Sequence, residues 1–408
     1  LGDVYKRQPL EQQKVGELAN FQIVSVQTSD QVGDALALLQ RHRVHRLVVM
    51  DETHVVGVLE ALDLFSFLSN HSHLIAVQVE AAVDIDGLAQ AAAQITRMVT
   101  ILHRSGTRVS LIARLVQDLN ARLFERAWQL IAPPDLVANS CLFVMGSEGR
   151  GEQLLKTDQD NGLILRDGYI PPDHLDAICQ SFSQALSDFG YPECPGHIML
   201  SNPMWRKTAY EFGQMVKQWL VMPEADSLMN LAIFLDAHAV CGDTHLLEDI
   251  QQVLMHFVSD NDAMLARFAA SIDAFGNSQG WWNRLLGLDE QQGLHLKKEG
   301  IFPLVHGVRS LALAEHLHET STTGRIDALV ATGVISPAQG ADLTQSLHFL
   351  MGLKLKAGLT EIETQHAVSG LVNVAKLSSL ERDLLKDALS VVKQFKSLLR
   401  SRFKLDSL

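Results

Sequence analysis

The chain has 408 residues, 47% of them hydrophobic, and a formal net charge of −13. That is apolar material for two or three cores, and the acidic balance excludes a nucleic-acid polymer as a general partner, because such binding is driven by Lys/Arg contacts to phosphates. No apolar run is long enough to span a membrane and no signal-peptide pattern is present, so no membrane partner is expected.

Residues 1–13, starting at Leu1, show no periodicity that links them to the rest of the chain and are left unassigned. From 14 to 70 the pattern is strand, helix, strand, strand, helix. Phe21–Val26 is the first strand. Thr28-Ser29-Asp30 offers N-caps for a stripe of Val32, Ala35, Leu36 and Leu39, and Leu47–Met50 and Val55–Leu59 flank the Asp51-Glu52-Thr53 turn. Residues 71–135 carry no strand signal. Runs such as Ala81–Met98 and Val109–Ile131 predict amphipathic helices, ended by Pro133-Pro134. His71, His73 and His103 in this connector are expected at helix ends, away from any metal.

A third region, 136–241, mixes strand and helix signals. Pro171-Pro172 opens a helix to Phe189, which Gly190 closes, and a second helix runs from Lys207 to Val221. Met229–Val240 predicts a long strand with Ala232, Phe234, Asp236 and His238 on one face. Residues 242–408 are helical in pattern, punctuated by Gly293, Gly300, Thr320–Gly324 and Pro337. The closing basic run, Lys393 to Lys404, suits a solvated last helix or a contact for an acidic partner. Four cysteines, Cys141, Cys179, Cys194 and Cys241, lack C-x-x-C spacing, so they suggest neither a zinc site nor a disulfide framework and fit a reducing cytoplasm.

The chemistry concentrates in Cys141–Leu165. An apolar run, Leu142–Met145, ends in Gly146-Ser147; Asp158 and Asp160 come next, then a second apolar run, Leu163–Leu165. On a strand, i and i+2 share a face with Cα atoms roughly 6.5–7 Å apart, so the two carboxylates can converge on a metal pair. The Gly-Ser turn can bring backbone N–H groups and a hydroxyl to phosphate oxygens. An EF-hand is excluded, because Gly162 and Tyr169 stand where that loop needs Asp or Asn and a bidentate Glu. A plain polar hairpin is the bland alternative.

Gly146-Ser147-x-Gly149-Arg150-Gly151-Glu152 with Thr157-Asp158-x-Asp160 resembles the polymerase-β-like core of protein-PII uridylyltransferases. It is more similar still to a family of nucleotidyltransferases that join CBS or cyclic-nucleotide sensors to such a core. Gly190-Tyr191-Pro192-x-Cys194-Pro195-Gly196 with Ser201-Asn202-Pro203-x-Trp205 resembles its mid-domain signature. Lys297-Lys298-x-Gly300-Ile301-x-Pro303 resembles the start of its helical C-terminal domain. Val44–Asp51, then Gly57-Val58-Leu59 and Asp63, is similar to a CBS motif, with Glu60 where such modules usually carry Thr or Ser. The resemblance implies an α+β chain. It comprises a CBS (βαββα) unit at 14–70, the second half of a pair, and a helical connector at 71–135. A nucleotidyltransferase core with a small mixed sheet occupies 136–241, and an all-α substrate-binding domain occupies 242–408.

The reaction this implies is transfer of a nucleoside monophosphate from an NTP to a hydroxyl, with Mg²⁺ or Mn²⁺ held by Asp158, Asp160 and a third carboxylate, for which Asp236 is the candidate. An acid capping the end of its strand is the bland role for Asp236, and Glu152 is the substitute ligand. Gly146 and Ser147 are expected on the β- and γ-phosphates. Arg150 is expected either on a phosphate or braced against Glu152. Lys297, Lys298 and Arg309 are candidates for the triphosphate tail or the acceptor, or ordinary helix-surface charges. By resemblance, the acceptor is a protein, an adenine nucleotide binds the CBS unit at Asp63, and the unit homodimerises or exposes its unpaired face. The family's Arg two positions after Asp236 is His238 here, and no His-Asp dipeptide is present, so a demodifying hydrolase is not expected. A non-catalytic nucleotide-binding signalling module and a small-molecule nucleotidyltransferase are the rival readings.

Overall fold

The computed structural model describes residues 23–30, 32–42, 44–60, 72–222, 224–258, 262–273, 293–365 and 368–407. They form two compact units, one of the described residues of 23–60 with 104–107 and one of 72–103 with those from 108 onward.

In the first unit, β1 (Ser25–Gln27) runs parallel to β2 (Arg46–Asp51), and β2 pairs antiparallel with β3 (His54–Glu60). The parallel pair needs a crossover, which α1 (Val32–His42) provides. Val26, Ala35, Leu39 and Leu47 close the small core, with Val24, Leu38, Val44, Val49 and Leu59 packed around it. Alternation fails on β3, where Val55, Val56 and Val58 are 65%, 56% and 57% exposed, an apolar row that this unit does not itself cover. Glu60 lies opposite Arg46 in the ladder and pairs with its guanidinium at 2.8 Å. Asp63 lies outside the described residues.

The second unit begins with a helix over 72–81, then α2 (Ile85–Arg104) and α3 (Val109–Ile131). Buried Leu88, Ala91, Ala92, Ile95, Met98, Val99 and Leu102 recur at three- and four-residue spacing, as a helix with one buried face requires. After the short α4 (Pro134–Ala138) comes a four-stranded mixed sheet. Its central strand β4 (Ser140–Val144) is antiparallel to β5 (Asn161–Leu165) on one side and to β7 (His238–Gly242) on the other. A short edge strand, β6 (Arg206–Thr208), runs parallel to β5. Every residue of β4 and β5 is buried, which is why these strands read as unbroken apolar runs. Phe143 meets Phe212 and Phe234 edge to face, with ring centroids 5.7 and 6.0 Å apart, where α7 (Ala209–Val221) and α8 (Ala225–Phe234) pack on the sheet.

Two local expectations are corrected here. Met229–Val240 is no strand: α8 ends at Phe234, Asp236 lies in the turn after it, and only His238–Gly242 is extended. Leu228, Leu231 and Phe234 are buried at helical spacing, and a short apolar run such as Leu231–Leu235 carries no period that would separate helix from strand. The helix expected from Pro171-Pro172 starts at Leu175 (α6, Leu175–Asp188).

The C-terminal part continues as α9 (His245–Val258), α10 (Asp262–Ala270), a two-residue ladder of β8 (Leu294–His295) with β9 (Leu371–Val372), a π-helical turn over Lys297–Ile301, α11 (Phe302–Ala314), α12 (Thr322–Ala331), α13 (Pro337–Glu363) and α14 (Ser379–Arg402). Capping boxes at Ser336/Gln339 and Ser378/Glu381 fix the starts of its two longest helices. Among the described residues no helix is long and apolar enough to cross a membrane.

Candidate active site

The end of β4 turns sharply at Gly146, whose φ of +59° lies in the left-handed region that favours glycine. A one-turn helix, α5 (Gly146–Gly149), comes next, and its first N–H groups have no intrahelical acceptor. Ser147 lies in this turn and is half-buried. Gly149 must also be glycine, because a Cβ there would meet the Asp236 carbonyl oxygen at 2.0 Å.

Asp158 and Asp160 are not on a strand, as their spacing had suggested. They precede β5 in an irregular segment held from both sides. The Gln159 amide between them donates to the Ser183 and Tyr191 carbonyls, each at 2.9 Å, and the Met145 N–H donates to the Asp160 carbonyl at 2.8 Å. Turning Gln159 inward leaves its two neighbours pointing the other way, so the shared face survives without the strand. The Asp160 carboxylate lies against the phosphate-type turn: a Cβ on Gly146 would be 2.5 Å from its Oδ2. Burial pushes the Asp160 carboxyl up to about 6. The Asp158 charge raises it further, while the Cys194 thiol, Lys297 and Arg150 pull against the rise. The two aspartates therefore feel each other, with burial the larger cause of the rise.

Asp236 is in the opposite situation. Its side chain is fully buried, and three guanidiniums enclose it. Arg150 donates to Oδ2 at 2.6 Å, Arg325 to Oδ1 at 2.8 Å, and Arg309 grips both oxygens, with Nε 3.1 Å from Oδ1. Although burial opposes ionisation, Arg309, Arg150 and Arg325 together hold this carboxyl well below the usual range. With both oxygens engaged, Asp236 is not a third metal ligand, and Arg309, expected at the triphosphate tail, belongs to the same buried cluster. Arg150 takes the bracing role: its Nε donates to Glu152 at 2.7 Å, and Glu152 accepts the Thr322 N–H at 2.8 Å. Glu152 is thereby engaged as well and does not substitute as a ligand. Arg150 from the turn, Asp236 from the sheet's edge and Arg309 and Arg325 from α11 and α12 form one ionic joint. It fixes the C-terminal helices on the core.

That joint brings two lysines to the aspartates. Lys297 and Lys298 lie exposed on the π-helical turn, and Lys297 is near enough to bias Asp160. Lys354 of α13 interacts electrostatically with Asp158, Lys297 and Arg150. Sequence reasoning missed it, although a lysine four residues after Leu350 and four before Gly358, both buried, was a visible interruption of an apolar face. Arg325 left no comparable signal. Beneath the aspartates a small cavity is also lined by Glu148 and Tyr191. Glu148 accepts from the Asn120 amide at 3.0 Å, and the Tyr191 hydroxyl donates to Asn120 at 2.7 Å. Burial pushes Glu148 up to about 8, Asn120 opposing, which favours its protonated form.

Among the described residues no group of three or more His, Cys, Asp or Glu side chains could cage a metal. The site offers two carboxylates, Asp158 and Asp160, that could hold a cation. That suits a hard cation such as Mg²⁺, which takes one or two protein carboxylates and completes its shell with substrate phosphates and water.

Residues 93–226 match the family described as Putative nucleotidyltransferase DUF294. Residues 262–403 match the one described as Putative nucleotidyltransferase substrate binding domain, and residues 15–70 match the CBS domain. None of the curated proteins compared matches the chain.

Proposed function

We propose that this chain, a nucleotidyltransferase family member joining a CBS domain to a transferase domain and its substrate-binding domain, moves a nucleoside monophosphate from an NTP to a hydroxyl on a protein, as protein-PII uridylyltransferases do. The observation that carries this reading is the packing of the Asp160 carboxylate on Gly146, which puts the Asp158–Asp160 pair beside the Gly146-Ser147 turn. In the reaction the acceptor oxygen bonds to the α-phosphorus, the bond to the β-phosphate bridge breaks, and pyrophosphate leaves with the electron pair, while the hydroxyl proton passes to solvent. Asp158 and Asp160 would hold Mg²⁺ or Mn²⁺, which when bound neutralises phosphate charge and lowers the acceptor's pKa. Gly146 and Ser147 orient the phosphates from below. Lys297 and Lys298 face them from the C-terminal part.

The fitting experiment supplies each labelled NTP with Mg²⁺ and cell lysate to the wild type and to Asp158→Asn. A labelled protein band that needs Asp158 supports the reading. A label found only on small molecules would favour the small-molecule transferase, and NTP binding without transfer would favour the signalling module.

Regulation is part of the same proposal: an adenine nucleotide binds the CBS unit near Asp63 and shifts transferase activity by preferring one conformation. Calorimetry with AMP and ATP, with Asp63→Ala as control, tests it; binding that survives the substitution would refute the assignment to Asp63. The exposed Val55, Val56 and Val58 row suits a second copy of this unit, so the protein is proposed to be a homodimer, which sedimentation of Val56→Asp against wild type would check.

A further inference from the structure

We infer that Lys354 is a phosphate-binding residue of this site, gripping the β- and γ-phosphates that depart as pyrophosphate; the inference rests on the nucleotidyl-transfer reading. Helix α13 is pressed onto the site by two glycine contacts, made by the residues one turn to either side of this lysine. Four residues earlier, Leu350 packs on Gly300, where a Cβ would come within 2.9 Å of Leu350 Cδ1. Gly300 belongs to the turn that carries Lys297. Four residues later, Gly358 has no room for a side chain because Leu155 Cδ1 would be 2.6 Å from its Cβ. Leu155 lies in the segment leading to Asp158. Residues i and i±4 share a helix face, so Lys354 is held between the Lys297 turn and the Asp158 segment.

Its partners do not account for it. Lys356, two residues on, is exposed and pairs with Glu381 at 2.6 Å. Among the described residues no carboxylate lies within ion-pair distance of Lys354. A half-buried ammonium without an anion is unfavourable unless a ligand supplies one. Burial, then Lys297 and Arg150, pull the Lys354 ammonium down to about 8, with Asp158 acting against them. Lys354 and Lys297 therefore stand on the C-terminal side with no carboxylate in ion-pair contact among the described residues, opposite Asp158 and Asp160 on the core side. A triphosphate with its divalent cation satisfies both at once: the cation meets the carboxylates and the terminal phosphates meet Lys354 and Lys297.

Inorganic tripolyphosphate with Mg²⁺ isolates this contact from the base and the acceptor. Calorimetry on the full chain should show Lys354→Met weakening binding by at least about tenfold. Lys354→Arg should restore most of it, and the surface control Lys356→Met should bind as wild type. Lys354→Met should also raise KM for the NTP. Removing a half-buried charge should not unfold the chain; if thermal melting showed otherwise, Lys354→Gln would serve in its place. Equal binding by wild type and the neutral variants overturns the inference and leaves the transferase reading intact, as does a wild type that transfers nucleotide but does not bind tripolyphosphate. A wild type that binds tripolyphosphate through Lys354 and transfers no nucleotide overturns the transferase reading alone.

Discussion

Asp236 and the Asp158–Asp160 pair are the same residue type a short distance apart in one domain, and their surroundings are opposite. Around Asp236 three guanidiniums bond directly to one carboxylate; Asp160 has no ion pair within bonding distance among the described residues, and burial and a second aspartate raise its pKa while Lys297 and Arg150 act against them. A carboxylate whose oxygens are both occupied serves as a joint. One that the fold leaves short of cations has capacity for a ligand. Proximity to a motif therefore says less about an acid's role than the count of partners on its oxygens.

The largest effect should come from breaking the joint. Asp236→Asn leaves Arg309 and Arg325 buried without their counter-charge, and Arg150 with Glu152 alone, and should destabilise the second unit by about 3–5 kcal/mol, read from denaturant unfolding. If it cost under about 1 kcal/mol, Asp236 would not be the tie between core and C-terminal helices. Asp158→Asn and Asp160→Asn should do the reverse: stability within about 1 kcal/mol of wild type, with transfer lost by at least roughly 10²–10³. Gly146→Ala should lose transfer likewise, because its methyl would come within 2.5 Å of Asp160 Oδ2, but it should also cost stability through the positive φ. A mutant keeping more than about a tenth of wild-type turnover would remove its residue from the site.

Next in size is a pH effect from Glu148. Its folded pKa of about 8 lies above the ordinary 4.5, so between these values the folded chain holds a proton that the unfolded chain has lost. Stability should fall by about 1.4 kcal/mol per pH unit as pH rises through that window. Glu148→Gln should flatten the slope, and an unchanged slope would mean that Glu148 is already ionised at neutral pH. The smallest effect should be at the surface pair of Arg122 and Glu80, 2.8 Å apart and both solvated, where Arg122→Ala should cost under about 1 kcal/mol in thermal melts.

The sequence by itself made the α+β class and the order of CBS unit, core and helical C-terminal part legible through the motifs that carry the family resemblance, and the Gly146-Ser147 turn and the acid pair through a residue's own backbone freedom and spacing within one segment. It misread Met229–Val240, since an unbroken apolar run carries no period. It placed Asp158 and Asp160 on a strand, because nothing local says that Gln159 would be recruited by α6 and the turn after it. Only the tertiary structure decided what Asp236, Arg150, Arg309, Arg325 and Lys354 do. Their roles depend on which charges meet across elements far apart in the chain, and a buried charge takes its meaning from those neighbours, for which a one-dimensional pattern holds no record.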